Sequence, residues 1–396
     1  MTRGTGMSRS CTDAAGRTAV GIYAHVPFCE RRCDYCDFYV EVDRTGEERF
    51  FACLRDDLRL AAGRFSPTRA LVDSLYFGGG TPSLVRASQI RRTVACVEEL
   101  FDTAAAIEIS LEANPETVAP EKSASWRSAG VNRLSLGVQS FNDAVLRPRG
   151  RCYTSAEAVA AFGAAREAGF RSVGIDLIAG LPGESARSFL DGILRTVALG
   201  PDHVSIYLLE GAESLKRTPL ARAVEAGRVT LPSEEMVITM YTSAREELTR
   251  AGYAQYEISN FARPGFESRH NLKYWNSEPY IGIGPSAHSH RDGRRTCWPA
   301  DLRAWEAAVV SGARRMDRSL TGTRARAREA LVLALRLTRG VELAAFGERW
   351  NLDAGDLVEK VLKDPDCDGL VRLEAGRLSL THRGVLLSNE VFARLV

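Results

Sequence analysis

Three cysteines, Cys29, Cys33 and Cys36, stand in a C-x3-C-x2-C spacing directly behind the apolar alternating run Val20-Gly21-Ile22-Tyr23-Ala24-His25-Val26. Three soft thiolates this close in sequence converge on one metal centre when the chain loops back on itself, and a loop leaving a strand end allows that. They leave one iron of a [4Fe-4S] cube without a protein ligand. An iron in that state is a coordination site for a small molecule, so the spacing points to cluster chemistry beyond electron storage. Two other readings compete. A Cys3His zinc site could enlist His25, although structural zinc sites usually come from two paired ligand arms. A disulfide framework fits poorly with nine cysteines, an odd number scattered without pattern.

Further chemistry-bearing residues recur where strands are expected to end. They are Gly78-Gly79-Gly80-Thr81-Pro82, Glu112 followed by Ala113-Asn114-Pro115, Gln139, Arg151 and Asp176. Each has an ordinary explanation: glycines allow positive φ in tight turns, and a carboxylate at a strand end commonly caps a helix or faces water. Taken together their types are complementary. Backbone N–H groups and arginine suit a carboxylate, and carboxylates suit an ammonium or a ribose hydroxyl.

A separate stretch from Tyr256 to Trp275 sets His270 and Asn271 among Tyr274, Trp275 and the cations Arg263, Arg269 and Lys273. Its glycine and proline breaks predict a loop. Imidazole is a standard axial ligand for heme iron, the aromatics could cover a macrocycle, and the cations could pair its propionates. On the residues alone a satisfied structural histidine is the commoner outcome. Gly282-Ile-Gly284-Pro-Ser-Ala-His288-Ser-His290 fits a substrate contact and a packed turn equally well.

These groups need a frame. Strands are predicted over Val20–Val26, Ser74–Phe77, Ile107–Leu111, Arg133–Gly137, Ser172–Ile178 and His203–Leu208, with helices over Glu48–Ala62, Ala156–Ala168 and Ala186–Leu199. This alternation predicts an α/β fold with a parallel sheet. Six such units are too few for a closed barrel of about eight, so an open, partial TIM-type barrel is expected, its site at the C-terminal ends of the strands. From about Arg324 the pattern changes to an apolar helix around Glu329–Leu337, helical regions over Gly340–Arg349 and Asn351–Leu362, and a hairpin over Gly369–Thr381 with an Ala-Gly turn. That is a winged-helix-like arrangement.

Composition narrows the function classes. The 396 residues, 45% hydrophobic, leave room for two domains, and 52 basic residues nearly cancel 50 acidic ones. That balance gives no footprint for nucleic acid or an anionic membrane. Residues 1–17 read as a disordered tail without an apolar signal region, no run approaches the roughly 20 residues of a membrane span, and a cytoplasmic location is expected.

Tyr23, Cys29-x-x-x-Cys33-x-Tyr35-Cys36, Gly78-Gly79-Gly80-Thr81-Pro82, Glu112-Ala-Asn-Pro, Gly137-Val-Gln139-Ser-Phe-Asn and Ile175-Asp176-Leu-Ile-Ala-Gly-Leu-Pro resemble the radical S-adenosylmethionine (SAM) proteins of the oxygen-independent coproporphyrinogen III oxidase type. Within that group the chain is most similar to the heme-chaperone family HemW, from about Tyr23 to the C-terminus. The resemblance implies a [4Fe-4S] cluster on Cys29, Cys33 and Cys36 whose open iron chelates SAM and, on reduction, splits its sulfonium. It implies SAM contacts from Tyr23, Gly79, Gly80, Thr81, Glu112, Gln139, Arg151 and Asp176, with Tyr35 beside the adenine. His270-Asn271-x-x-Tyr274-Trp275 reproduces the HNxxYW motif associated with heme, which reverses the odds on His270.

Departures from the pattern are informative. The oxidases of this type carry a further cysteine where this chain has Phe38, and a longer N-terminal extension than the 22 residues that precede Tyr23. Pro148 stands where a helical approach to Arg151 is usual. The implied organisation is a tail over 1–17, a radical SAM core over 18–255, a connecting segment with the HNxxYW motif over 256–323 and a C-terminal domain over 324–396. Two functions follow. One is a heme chaperone that hands heme to an acceptor apo-hemoprotein and draws on an electron donor, with a homodimer and a peripheral membrane contact both compatible. The other is a coproporphyrinogen III dehydrogenase of porphyrin biosynthesis.

Overall fold

The computed structural model describes residues 19–65, 70–209, 218–313 and 315–396. The tail expected over 1–17 lies outside them. Six parallel strands form the centre: β1 (Val20–Val26), β2 (Leu71–Gly79), β3 (Asp102–Ala113), β4 (Arg133–Gln139), β5 (Ser172–Ala179) and β6 (His203–Leu208). They lie side by side in chain order, the arrangement of a partial barrel.

A parallel sheet covered on both faces normally reads as continuous apolar strands. Here the strands alternate. Ile22, Ala24 and Val26, Leu75 and Phe77, Leu134 and Leu136, Ile175 and Leu177, and Val204 and Ile206 are all buried in one core. The intervening positions carry Tyr23 and His25, Ser74 and Tyr76, Ser110 and Glu112, Ser135, Asp176, and His203 and Ser205. A strand's period of two sends these to the opposite face, so the sheet has an apolar outer surface and a polar inner one. Strand registers set Tyr23 beside Tyr76, Glu112 beside Ser135, and Asp176 beside Ser205.

Helices cross the outer face. Glu47–Ala62, Ala87–Leu100, Ser155–Glu167 and Ala186–Leu199 all contribute buried apolar residues. Their ends are encoded locally. Thr154 with Glu157, and Ser185 with Ser188, form capping boxes that satisfy the first orphan amides. Gly200, at φ 66°, ends Ala186–Leu199 in the left-handed conformation.

The sheet continues past both edges of the six-strand core. Tyr280–Ile283 pairs parallel to β1, followed by antiparallel His288–Arg291, Arg294–Cys297 and Met316–Asp317, while Asn260–Ala262 pairs antiparallel to β6. These strands have two to four residues each, too short for a periodic signal. The loop expected around His270 is corrected: Arg269–Trp275 is a helix, started by the Ser268 hydroxyl, which accepts from the Asn271 amide at 3.3 Å. The breaks at Pro264 and Gly265 precede it.

The C-terminal part has its own core around Leu331, Leu335, Val358, Val361, Leu370, Leu378 and Val391. Helices Thr323–Leu335, Leu343–Trp350 and Gly355–Lys363 lead into strands Val371–Glu374 and Arg377–Leu380. Ala375 and Gly376 both have positive φ, the turn that matches a hairpin's twist. A short strand, Val341–Glu342, adds a third member, and helices His382–Leu386 and Ser388–Leu395 complete the chain. Val385 and Leu386 pack against the core of the barrel.

Candidate cluster and cofactor site

The loop carrying the three cysteines leaves the top of β1 and is tied at both ends. Cys29 N–H donates to Glu41 O at 2.9 Å, and Glu41 N–H returns to Pro27 O at 2.8 Å. The loop is also clamped to the glycine run after β2: Gly80 N–H donates to Val26 O at 2.9 Å and Thr81 N–H to Phe28 O at 2.7 Å. A Cβ on Gly80 would lie 2.6 Å from Pro27 O and 2.7 Å from Phe28 O. One on Gly79, whose φ is 114°, would meet the His25 ring. All three glycines are crowded, since a Cβ on Gly78 would lie 2.9 Å from Tyr76 Cε1, and at Gly80 the obstacle is backbone.

This overturns one expectation. The amides of Gly79, Gly80 and Thr81 all have partners within the chain, Gly79 N–H donating to Glu112 Oε2 at 3.0 Å. The run offers no free N–H groups to a carboxylate.

Arg151 holds the rim together. Its Nε and Nη2 donate to the Tyr35 hydroxyl at 3.0 and 2.7 Å, and its Nη1 donates to Asn114 Oδ1 at 2.9 Å. Asn114 Nδ2 in turn donates to Thr81 Oγ1 at 3.2 Å, and Thr81 Oγ1 donates to Cys29 Sγ at 3.6 Å. One polar path thus runs from the connection after β4, through the ends of β3 and β2, to a cluster cysteine. Pro148 does not disturb it. It sits in a short 3-10 turn, Arg147–Arg149, that ends at left-handed Gly150, where Arg151 N–H still reaches Leu146 O at 3.2 Å.

Beneath the rim lies a layer of carboxylates and phenols. Tyr76 Oη donates to Glu112 Oε1 at 2.8 Å. Burial, with Asp176 adding negative charge, pushes the Glu112 carboxyl up to about 7. Asp176 accepts from Ser135 Oγ at 2.8 Å through Oδ2, has Ser205 as a second donor beside it, and burial raises its pKa. A buried carboxylate gains from each further donor that reaches it. Ammonium and ribose hydroxyl groups, such as SAM carries, are donors of the required kind. Gln139 reaches the same rim from a strained backbone, at φ 63°, beside Gly137, where a Cβ would lie 2.8 Å from Gln139 Nε2.

The cysteine chemistry fits a cluster. Burial raises the thiols of Cys29, to about 11, and of Cys36, so a bound metal centre must favour the thiolates. The zinc reading through His25 meets an obstacle. Its Nε2 donates to Tyr39 O at 2.9 Å, and its Nδ1 faces the Tyr23 hydroxyl at 3.2 Å. When bound, the cluster would supply an electron to the sulfonium of SAM. The chain's own part is to hold three thiolates, fix the cofactor's polar ends and exclude water.

His270 lies lower in the barrel, at its floor. It is 1% exposed. Its Nδ1 meets Ser74 Oγ at 3.1 Å and its Nε2 meets the Tyr274 hydroxyl at 2.9 Å, and its ring stacks on Tyr76 with centroids 5.3 Å apart. The Asn271 amide closes the helix cap. Tyr274 packs edge-on against Tyr280, and Trp275 lies beneath the Arg336 guanidinium at 4.3 Å. The segment is therefore apart from the cysteine rim and separated from it by the Tyr23, Tyr76 and Glu112 layer. Gly282 and Gly284 pack against His288 and His25 backbone atoms, which makes that run a packed turn.

Three residues of the site escaped sequence reasoning: Tyr76, Ser135 and Glu184. The first two lie on the inner alternation, a signal that was readable. Glu184, after β5, accepts from Ser140 Oγ after β4 at 2.7 Å and latches two rim loops. Burial pushes its carboxyl up to about 7 from 4.5. A raised folded pKa means its stabilising protonated form is full below 4.5 and lost as pH rises through 7. Glu184→Gln is thus expected to match the wild type at pH 5 and to exceed it by about 2–3 kcal/mol at pH 8, as read by denaturant titration at both values.

Comparison with known proteins agrees with this geometry. Residues 23–193 match the model of the Radical SAM superfamily, and residues 323–387 that of the HemN C-terminal domain. A protein described as heme chaperone HemW from Bacillus subtilis is 33% identical over 93% of this chain and 97% of its own length. One of the same description from Mycobacterium tuberculosis is 37% identical over 95% and 94%. The solved structure of coproporphyrinogen III oxidase (HemN) from Escherichia coli superposes with a TM-score of 0.82 at 26% identity, covering 96% of this chain and 90% of that one. The chain belongs to the HemW heme-chaperone family of the radical SAM superfamily.

Proposed function

We propose that this protein binds heme and transfers it to an acceptor apo-hemoprotein, with a SAM-loaded [4Fe-4S] cluster at the top of its partial barrel. Cys29, Cys33 and Cys36 hold the cluster. Tyr23, Tyr35, Gly79, Gly80, Thr81, Glu112, Gln139, Arg151 and Asp176 surround SAM: Arg151 takes its carboxylate, the carboxylates of Glu112 and Asp176 take its donors, and Tyr35 flanks the adenine. An external electron donor reduces the cluster. The observation that carries the reading is family membership over nearly the whole chain, together with Phe38, 66% exposed two residues past Cys36, where an oxidase-type site would have another thiol.

His270, Asn271, Tyr274 and Trp275 enter this proposal with a structural condition. Iron gains a His270 nitrogen only if Tyr274 or Ser74 gives up its hydrogen bond and the floor helix Arg269–Trp275 shifts. The motif then serves heme in an opened state, so heme binding and floor opening are coupled.

The rival reading, a coproporphyrinogen III dehydrogenase, is favoured by the overall likeness to HemN. Anaerobic incubation of the cluster-loaded chain with coproporphyrinogen III, SAM and dithionite separates the two. The carrier reading expects no protoporphyrinogen beyond a no-protein control, and multiple turnovers would replace it with the dehydrogenase.

A further inference from the structure

The seam between the barrel floor and the C-terminal part is fastened by two kinds of contact. On one side it is backbone. Ile258 N–H donates to Arg336 O and Thr338 N–H to Tyr256 O, each at 3.1 Å, and Leu337 pairs with Glu257 as an isolated bridge. On the other side it is guanidinium. Arg349 donates from Nη1 to Asn276 O at 3.2 Å and from Nη2 to Ser277 O at 3.3 Å, and Arg339 Nη2 donates to Asn276 Oδ1 at 2.6 Å. Asn276 and Ser277 directly follow the helix Arg269–Trp275, so these two cations sit at its C-terminal end, where the helix dipole is negative.

The chemistry of that end is one-sided. The acceptors just named are neutral oxygens, and a third guanidinium, Arg377, lies alongside, its Nη1 donating to Arg339 O at 3.4 Å. Two buried donors at the same place, Trp275 Nε1 and Ser277 Oγ, have no hydrogen-bond partner among the described residues. Ser277 also holds φ at 50°, a conformation that costs a non-glycine residue free energy. Clustered cations and open donors gain from carboxylate oxygens. The cations of the motif's own segment are engaged elsewhere: Lys273 in its buried pair with Asp73 at 2.9 Å, Arg269 at the opposite end of the helix on Ala106 O at 2.7 Å, and Arg263 over the Tyr253 ring.

We propose that Arg339 and Arg349 are the propionate ligands of the heme site and that they act by exchange. In the heme-free chain they hold the end of the floor helix; when heme enters they release Asn276 and Ser277 and take its two carboxylates. The inference rests on the heme-carrier reading and deepens it. Two cations that converge on one residue match two propionates carried on one edge of a macrocycle. The exchange also supplies a driving force for uncovering His270, since charge-assisted bonds to carboxylates replace bonds to neutral oxygens. The backbone ties between 256–258 and 336–338 stay in place and serve as the hinge.

The test compares the full, cluster-loaded wild type with the double variant Arg339→Gln, Arg349→Gln; both side chains are exposed, so the C-terminal core is spared. Amide hydrogen exchange of the heme-free chains across 269–277 should be faster in the variant, because the floor helix has lost its restraints. Titration with hemin and with hemin dimethyl ester, whose propionates carry no charge, then separates holding the helix from binding the ligand. The variant should bind hemin about tenfold more weakly, the scale of lost hydrogen bonds to charged groups, and the ester at least as tightly as the wild type does, because its floor opens more readily. A merely structural role would move both ligands in the same direction. Parallel changes in the two affinities, or none, therefore overturn the assignment, and so does unchanged exchange across 269–277. Absence of saturable binding of either ligand by the wild type removes the carrier reading itself.

Discussion

Gly80→Ala is expected to destabilise the chain by about 1–3 kcal/mol, the range for overpacking, and to leave most of the protein unable to hold its cluster. The added Cβ would stand 2.6 Å from Pro27 O and 2.7 Å from Phe28 O. Both are backbone carbonyls at the entry to the cysteine loop, so relief requires the loop to move away from β2. That motion breaks the bond from Thr81 N–H to Phe28 O and draws Thr81 Oγ1 from Cys29 Sγ. Iron and sulfide counts after anaerobic reconstitution read the loss, and Cys33→Ser gives the value for a protein with no cluster. Gly169, where a Cβ would meet nothing within 4 Å, has no such barrier to a side chain beyond its own positive φ.

Lys273→Met should be more damaging to the fold. Lys273 and Asp73 are 1% and 3% exposed, with Nζ 2.9 Å from Asp73 Oδ1. The ammonium also donates to Ala19 O at 3.1 Å and lies 3.5 Å from Glu278 Oε2. Removing it strands a buried carboxylate, which costs about 3–5 kcal/mol. Asp73→Asn in the same chain should restore a large part of that loss, because the stranded charge is then gone. Lys273 belongs to the helix that carries His270, so the pair also pins the barrel floor. Amide hydrogen exchange across 269–275 is expected to accelerate in Lys273→Met. Unchanged exchange there would mean that the floor is held without help from the pair, by the Ser74 and Tyr274 contacts and by the His270 N–H that donates to Glu108 Oε1 at 3.3 Å.

What the chain reveals before folding depends on the length of each signal. The six core strands carry enough β-branched and apolar residues to be found within a few residues of their ends, although β3 begins at Asp102, earlier than its apolar half indicates. The edge strands around Tyr280 and Asn260 are too short to show a period. Arg269–Trp275 is a seven-residue helix whose start depends on one hydroxyl, Ser268, and glycine and proline just before it outweighed that cue.

The site shows the same division. Cysteine spacing and the polar strand ends were readable because each is local. The alternation that carries Ser74, Tyr76, Glu112 and Ser135 was also present in the sequence, and it marks the inner face of the barrel. Which partner satisfies which group was not readable. Glycines 79 and 80 look like an anion cradle until Glu112 and Val26 are seen to take their amides. His270 likewise looks like an available ligand until Ser74, 196 positions away, is found at its Nδ1.

Heme carriage by this chain is read by equilibrium titration of the cluster-loaded, SAM-bound wild-type protein with hemin under anaerobic conditions. The expected result is saturation at one heme per chain with the spectrum of an imidazole-ligated iron, and release of that heme when an apo-hemoprotein is added. A titration that shows no saturation, or a bound heme that no acceptor can withdraw, would contradict it.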